Sequence, residues 1–241
     1  MAEPPLPAPA TKHVPALQHA LPRSDVVLTL RQRTATAEGT DTGTTGTTLW
    51  LGAQVLAAYL ASLPPPPPGA TALELGAGVG YLALCLAGAG YAVTATDVEP
   101  VLSSVLSPNL DAGARVLGAN ARVEAAELDW VRVAAEGLPP SLVAPDIVVT
   151  TDTVYAPHLI APLWATLAAV CARGKPAVYI ALERRDPRMV DAGLEAGRDA
   201  GFELRRVAHG RVAKALDRAG WRWAPEDWAG VEVWRAKWRG G

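Results

Sequence analysis

Three glycines, Gly76, Gly78 and Gly80, follow directly on an apolar segment, Ala72 to Leu75, and open a helical stretch from Val79 to Ala89. A second apolar segment, Tyr91 to Thr96, then ends on an acid, Asp97. Strand, glycine turn, helix, strand and acid make half of a nucleotide-binding α/β sheet, in which bare backbone lets a ligand approach closely. The spacing is not that of the dinucleotide fingerprint G-x-G-x-x-G, because the third glycine comes one residue early and Tyr81 holds the later place. Glu74 completes an E-x-G-x-G-x-G pattern around Ala77. Tight turns need glycine for steric reasons alone, so Glu74 and Asp97 are what direct the motif toward a ligand.

That pattern resembles the turn of seven-strand enzymes that use S-adenosylmethionine (SAM). Ligands of open α/β sheets bind beyond the carboxyl ends of the strands, so the residues at each strand end are the candidates for chemistry. The carboxylate of Asp97 can accept hydrogen bonds from both hydroxyls of a ribose. It can also cap the helix that begins near Glu99. The third strand ends in Leu128-Asp129-Trp130, where an indole can stack on adenine with Asp129 near the exocyclic amine, or simply pack. The fourth ends in TTDTVYAP, with Asp152 and Tyr155 three residues apart. Asp152 can cap the helix that Pro157 starts, or place a carboxylate beside a transferring methyl group. A lysine amine has an unperturbed pKa of about 10.4 against about 3.9 for aspartate, too wide a gap for proton abstraction. Asp152 is therefore expected to hold and orient the amine, with the proton leaving to water, while Tyr155 walls the channel or hydrogen-bonds the amine.

Alternating segments must carry these residues. Strands are expected near 72–75, 91–96, 122–128, 146–151, 177–182, 202–207 and 231–237, with helices near 80–88, 99–117, 157–172 and 187–200. This is an α/β chain with a doubly wound, mainly parallel seven-stranded sheet whose last strand is antiparallel. Residues 208–230 show turn residues and aromatics but no helical pattern, and are expected to join an antiparallel pair. Upstream, Val27, Thr29, Arg31 and Arg33 alternate with apolar neighbours as in a half-buried strand or small hairpin. A turn-rich loop, 39–48, precedes a helix apolar at Leu51, Val55, Leu56 and Leu60, which Pro64 to Pro68 terminate. Residues 1–22 are expected to be a mobile Pro/Ala-rich N-terminus and 23–241 a single domain.

Composition sets limits. The 241 residues are half hydrophobic with a net charge of −2, which suits one folded domain and disfavours direct binding of nucleic acid. Cys85 and Cys171 read as buried free thiols, and no His/Cys spacing suggests a metal site. Neither a signal peptide nor a membrane span is evident, so a cytoplasmic or nuclear location is expected. Five of the eight tryptophans, Trp221, Trp223, Trp228, Trp234 and Trp238, crowd the C-terminal part, as a core over the last strands or as a docking surface.

The segments GTTGTTLWLGAQVLAAYL, LELGAGVGYLAL, TATD, ELDW and DIVVTTDTVYAPHLIAPLWATL resemble the methyltransferase-like group of protein-lysine methyltransferases, family 16 of the seven-strand class, over roughly residues 44–207. The resemblance implies that Trp50, Gly76, Ala77, Gly78, Asp97, Trp130 and Thr151 line a SAM pocket, and that Asp152 and Tyr155 face the substrate. Glu183-Arg184-Arg185 resembles, more loosely, the branch of methyltransferase-like protein 22. The asparagine-rich helix end of the group is reduced here to Asn109 and Asn120. The expected activity is methyl transfer to a lysine of an intracellular protein (a chaperone, translation or nuclear factor) by a monomer. A small-molecule or RNA methyltransferase and a non-catalytic protein-binding module remain as alternatives. No N/D-P-P-Y/F/W motif supports base methylation, and no Tyr-x-x-x-Lys supports a nicotinamide oxidoreductase.

Overall fold

A computed structural model describes residues 4–33 and 45–240. The expected continuation of the N-terminal strand over 34–39 and most of the loop at 39–48 lie outside the described residues. The central sheet contains β3 (Thr71–Leu75), β4 (Ala92–Asp97), β5 (Arg122–Glu127), β6 (Ile147–Thr151), β7 (Ala177–Glu183), β8 (Phe202–Arg206) and β9 (Val231–Trp238), in the spatial order β5-β4-β3-β6-β7-β9-β8. The first five are parallel, and β9 inserts antiparallel between β7 and β8. From β3 the chain winds outward to β4 and β5, then returns to β6 on the other side. The crevice at that reversal, beyond the ends of β3 and β6, is where such sheets bind ligands.

Helices cover both faces. On one lie α1 (Leu51–Ala61), α2 (Tyr81–Gly88), α3 (Ser107–Leu117, entered through a π-helical turn at Leu102–Leu106) and α7 (His209–Arg218). On the other lie α4 (Trp130–Glu136), α5 (Pro157–Gly174) and α6 (Pro187–Asp199). Two-residue alternation divides β3 between the faces: Leu73 and Leu75 join the α5 core, while Ala72 joins the α1–α2 core. Residues 208–230 depart from expectation, because α7 is a helix that buries Val212, Ala215 and Leu216. Its single apolar stripe, spaced i, i+3, i+4, is interleaved with charge and follows Gly210, which hides it from composition. Trp221 and Trp228 are buried in the same core, as a covering layer would require.

The N-terminal hairpin pairs β1 (Ala16–Ala20) with β2 (Val27–Arg31) in antiparallel register, His19 facing Leu28. Its first strand thus comes from the segment expected to be mobile, and residues 4–22 pack on the domain. Gln54 of α1, fully buried, explains why. Its amide accepts from Ala8 N–H (2.7 Å), donates to the Leu6 carbonyl (2.9 Å) and meets His19 Nε2 (2.7 Å). Gln32 likewise donates to the carbonyls of Thr11 (2.9 Å) and Val14 (2.8 Å), and Trp223 Nε1–H donates to Pro5 (2.6 Å). Side-chain amides here do for an irregular segment what a ladder does for a strand.

His19 Nδ1 lies 2.8 Å from the Ala20 carbonyl, which can only accept, so Nδ1 carries the hydrogen and Nε2 accepts from Gln54. Burial accordingly lowers the His19 pKa from 6.5 to about 4. The folded value lies below the unfolded one, so stability present above pH 6.5 is lost as the pH falls toward 4. His19→Gln is expected to remove about 2 kcal/mol of the stability that wild type loses between about pH 7 and pH 5 in urea denaturation. Equal pH dependence in the two proteins would contradict this network.

Candidate functional site

Each strand end at the reversal is fixed by its own side chains. Thr96 Oγ1 donates to the Glu74 carbonyl (2.7 Å), and Thr150 Oγ1 to the Leu75 carbonyl (2.9 Å). The turn that follows β3 has φ of +68° at Gly76 and +56° at Gly78, a region that L side chains rarely adopt. Space is also lacking. A Cβ on Gly76 would sit 2.8 Å from Thr153 Cγ2, and one on Gly78 3.0 Å from the Gly46 carbonyl oxygen. Buried Asn109 ties this turn to the hairpin, donating to the carbonyls of Val79 (2.9 Å) and Arg31 (3.0 Å) while accepting from Arg31 N–H (2.7 Å).

Asp97 sits at the end of β4 with one carboxylate oxygen on Gly78 N–H (2.8 Å) and the other on Val98 N–H (2.8 Å). Burial raises its pKa, against the lowering effect of those two bonds. Each oxygen keeps a lone pair for a further donor.

Asp152, directly after β6, adopts φ +54°. One oxygen accepts from Gly52 N–H in the first turn of α1 (2.8 Å) and the other from Glu183 N–H at the end of β7 (2.9 Å). Asp152 therefore caps α1, one hundred residues away in sequence, and not the helix after it; α5, with Ala156 at its N-cap, has no side-chain cap. The fit demands glycine at position 52, where a Cβ would lie 2.5 Å from Asp152 Oδ2. Desolvation pushes the Asp152 pKa up to about 6, against the Glu183 and Gly52 amides and the charge of Arg185.

Between these two acids lies a cavity of about 350 Å³. Gly46, Leu49, Gly76 to Val79, Asp97 to Glu99 and Val101 line its β3–β4 side, and Thr151 to Tyr155, Glu183, Arg185 and Met189 its β6–β7 side, with Trp50 also on its wall. Tyr155 is 46% exposed. The Trp50 ring carries two cations: Lys12 Nζ lies 3.0 Å and Arg185 Cζ 4.0 Å from its centroid. Burial lowers the Lys12 pKa to about 8, with Arg185 adding to the effect and Glu183 and Asp152 opposing it. Arg185 also pairs with Glu183 at 3.2 Å.

Of the expected site residues, Trp50, Gly76, Ala77, Gly78, Asp97, Thr151, Asp152 and Tyr155 line this one cavity. Four do not. Glu74 is buried beneath the turn on the α2 face, its Oε2 without a partner, and desolvation raises its pKa well above the carboxylate range. Gly80 is the left-handed residue before α2, at φ +80°. Asp129 is exposed and caps α4 through Val131 N–H (2.8 Å) and Arg132 N–H (3.4 Å). Trp130 packs under the turn, its ring 3.2 Å from where a Gly76 Cβ would be. The sequence motifs do not mark Lys12, Gly52, Glu183 and Arg185 as site residues. Of these only Gly52 left a signal, a glycine inside an otherwise apolar helix, where it costs about 1 kcal/mol unless something approaches closely.

A cofactor with a ribose and an amino-acid moiety fits these residues. The glycine turn offers bare backbone that a Cβ would fill, and the half-buried carboxylate of Asp97 faces the same cavity. Comparisons agree. A family model described as lysine methyltransferase matches residues 29–192. No curated protein matches the chain in sequence. Among solved structures, a TehB-like SAM-dependent methyltransferase from Corynebacterium glutamicum superposes with a TM-score of 0.51 at 16% identity, over 78% of this chain and 87% of that one. The glycopeptide N-methyltransferase MtfA complexed with SAM gives 0.52 at 14% identity, over 77% of this chain and 87% of that one. At such identities the likeness is one of fold.

Replacing Asp97 removes two charge-bearing acceptors at the cavity. Asp97→Ala is expected to weaken SAM binding by about 10- to 100-fold in calorimetry. Unchanged affinity would place the cofactor elsewhere.

Proposed function

The chain belongs to the lysine methyltransferase family, and from that premise we propose that it methylates a lysine side chain of a protein, using S-adenosylmethionine. The single observation that carries the choice of acceptor is the β6–β7 end of the cavity: a carboxylate beside an aromatic face that already holds a lysine amine. The cofactor supplies an electrophilic methyl group on a sulfonium. Asp97 and the Gly76–Gly78 backbone would hold its ribose and amino-acid parts.

The protein's own residues then act on the acceptor. Each Asp152 oxygen already takes one backbone N–H and retains a lone pair, so the carboxylate can receive an amine N–H without releasing α1 or β7. With a pKa of about 6, Asp152 remains roughly four units below an ordinary lysine and is a holder of the amine, not its base. Deprotonation instead follows from the surroundings. Desolvation and the Arg185 guanidinium favour a neutral amine on the Trp50 face, as they do for Lys12. Tyr155 forms part of the outer wall. Catalysis rests on alignment and exclusion of water.

The proposed substrate is a protein of the cytosol or nucleus, a reading that the two free, buried cysteines support, and the proposed acting form is a monomer. Among the described residues no helix is long and apolar enough to cross a membrane. Radiolabel from SAM is expected to enter protein in a lysate of the source cells and to be recovered as methyllysine after acid hydrolysis. Gly52→Ala, which pushes on the Asp152 carboxylate while favouring the helix, is expected to lower the rate about 100-fold with SAM affinity retained. Label in RNA or small molecules, and none in protein, would overturn the reading.

A further inference from the structure

Lys12 is the one lysine of this chain whose amine meets a side chain of the cavity wall. Of the four lysines in the sequence, Lys175, Lys214 and Lys237 are exposed on the surface, whereas Lys12 is half-buried with Nζ 3.0 Å from the centroid of Trp50. Trp50 itself lines the cavity, together with Asp152, Glu183 and Arg185. The amine is brought there by a segment bound on both sides of it. Leu6 and Ala8 are held by Gln54, and the Thr11 and Val14 carbonyls by Gln32. None of the ion pairs among the described residues involves Lys12, although carboxylates are near enough to act on it. A lysine serving only to tether the segment would gain most from a carboxylate partner. This one is given an aromatic face instead, while burial and the neighbouring Arg185 guanidinium favour its uncharged, nucleophilic form.

We propose that Lys12 is an intramolecular methyl acceptor, so that the enzyme methylates its own N-terminal segment at the mouth of its substrate site. The inference rests on the protein-lysine methyltransferase reading given above. In the step, the lone pair of neutral Lys12 Nζ forms a new N–C bond as the S–C bond of the SAM sulfonium breaks. The thioether of S-adenosylhomocysteine leaves with that bond's electron pair, and the proton of the resulting methylammonium passes to water. A methylated amine is protonated again as the parent amine is, so the charged form of the product can still make the cation–π contact with Trp50. The groups that face the amine are Asp152 at the end of β6 and Glu183 and Arg185 at the end of β7. The rate should therefore rise with pH through the range in which Lys12 loses its proton.

Purified full-length protein incubated with labelled SAM, followed by tandem mass spectrometry of its N-terminal peptide, tests the proposal. Methyl groups are expected on Lys12, at a first-order rate independent of protein concentration, and label is expected to be lost from that peptide in Lys12→Arg. A readout free of turnover uses the protein without cofactor. The Lys12 ε-methylene resonances are expected to be shifted upfield by the Trp50 ring and to return to ordinary values in Trp50→Leu. Ordinary shifts in wild type would overturn the placement and with it the proposal. An unmodified Lys12 alongside methylated lysate proteins would overturn it and leave the parent reading standing. SAM binding with no methyl on Lys12 or on any other protein would remove both. A rate proportional to protein concentration would show transfer between molecules and overturn the intramolecular step.

Discussion

One carboxylate joins three elements that the chain brings together from far apart. Asp152 holds the first turn of α1 by Gly52 N–H and the end of β7 by Glu183 N–H, and itself ends β6. Its left-handed φ costs about 1–3 kcal/mol for a residue with a side chain, and two hydrogen bonds to a charged acceptor, at about 1.5–3 kcal/mol each, offset it. The position of Trp50, of the Glu183–Arg185 pair and of Tyr155 all follow from this junction. So does the need for glycine at 52, since the carboxylate lies where a Cβ would be.

Asp97 repeats the device on the other side of the sheet reversal. Both acids end parallel strands, both clamp backbone amides, and burial raises the pKa of both. Each is thereby fixed in orientation before any ligand arrives, with lone pairs still available. Preorganised acceptors of this kind need little rearrangement on binding. The division of labour follows from sheet order: β3 and β4 frame the glycine turn, while β6 and β7 frame the Trp50 face and its cations.

The strands and long helices were legible because their apolar periods are strong and their ends carry glycine, proline or acids. β1 was not, since a five-residue strand with buried His19 lies in a Pro/Ala-rich stretch that composition alone reads as mobile. The same holds for α7, whose Val212, Ala215 and Leu216 stripe is narrow and surrounded by charge. At the site, Asp97, Asp152 and the glycine turn could be read because a strand end is a local property. What they touch could not. The Asp152–Gly52 contact spans one hundred residues, and Lys12 meets Trp50 only through a segment held by Gln32 and Gln54. Glu74 and Asp129 lie outside the cavity for a related reason, because an acid beside a motif serves burial or a helix cap as readily as a ligand.

The most direct measurement is a crystal structure of the protein with S-adenosylhomocysteine. The expected result is a ribose on Asp97, the amino-acid part over the Gly76–Gly78 turn, and the thioether sulfur directed toward Asp152 and Trp50, with the Gly52 and Glu183 amides still held. A ligand bound with its sulfur turned away from Asp152, or a cavity that closes only after Asp152 releases those amides, would contradict this account of the site.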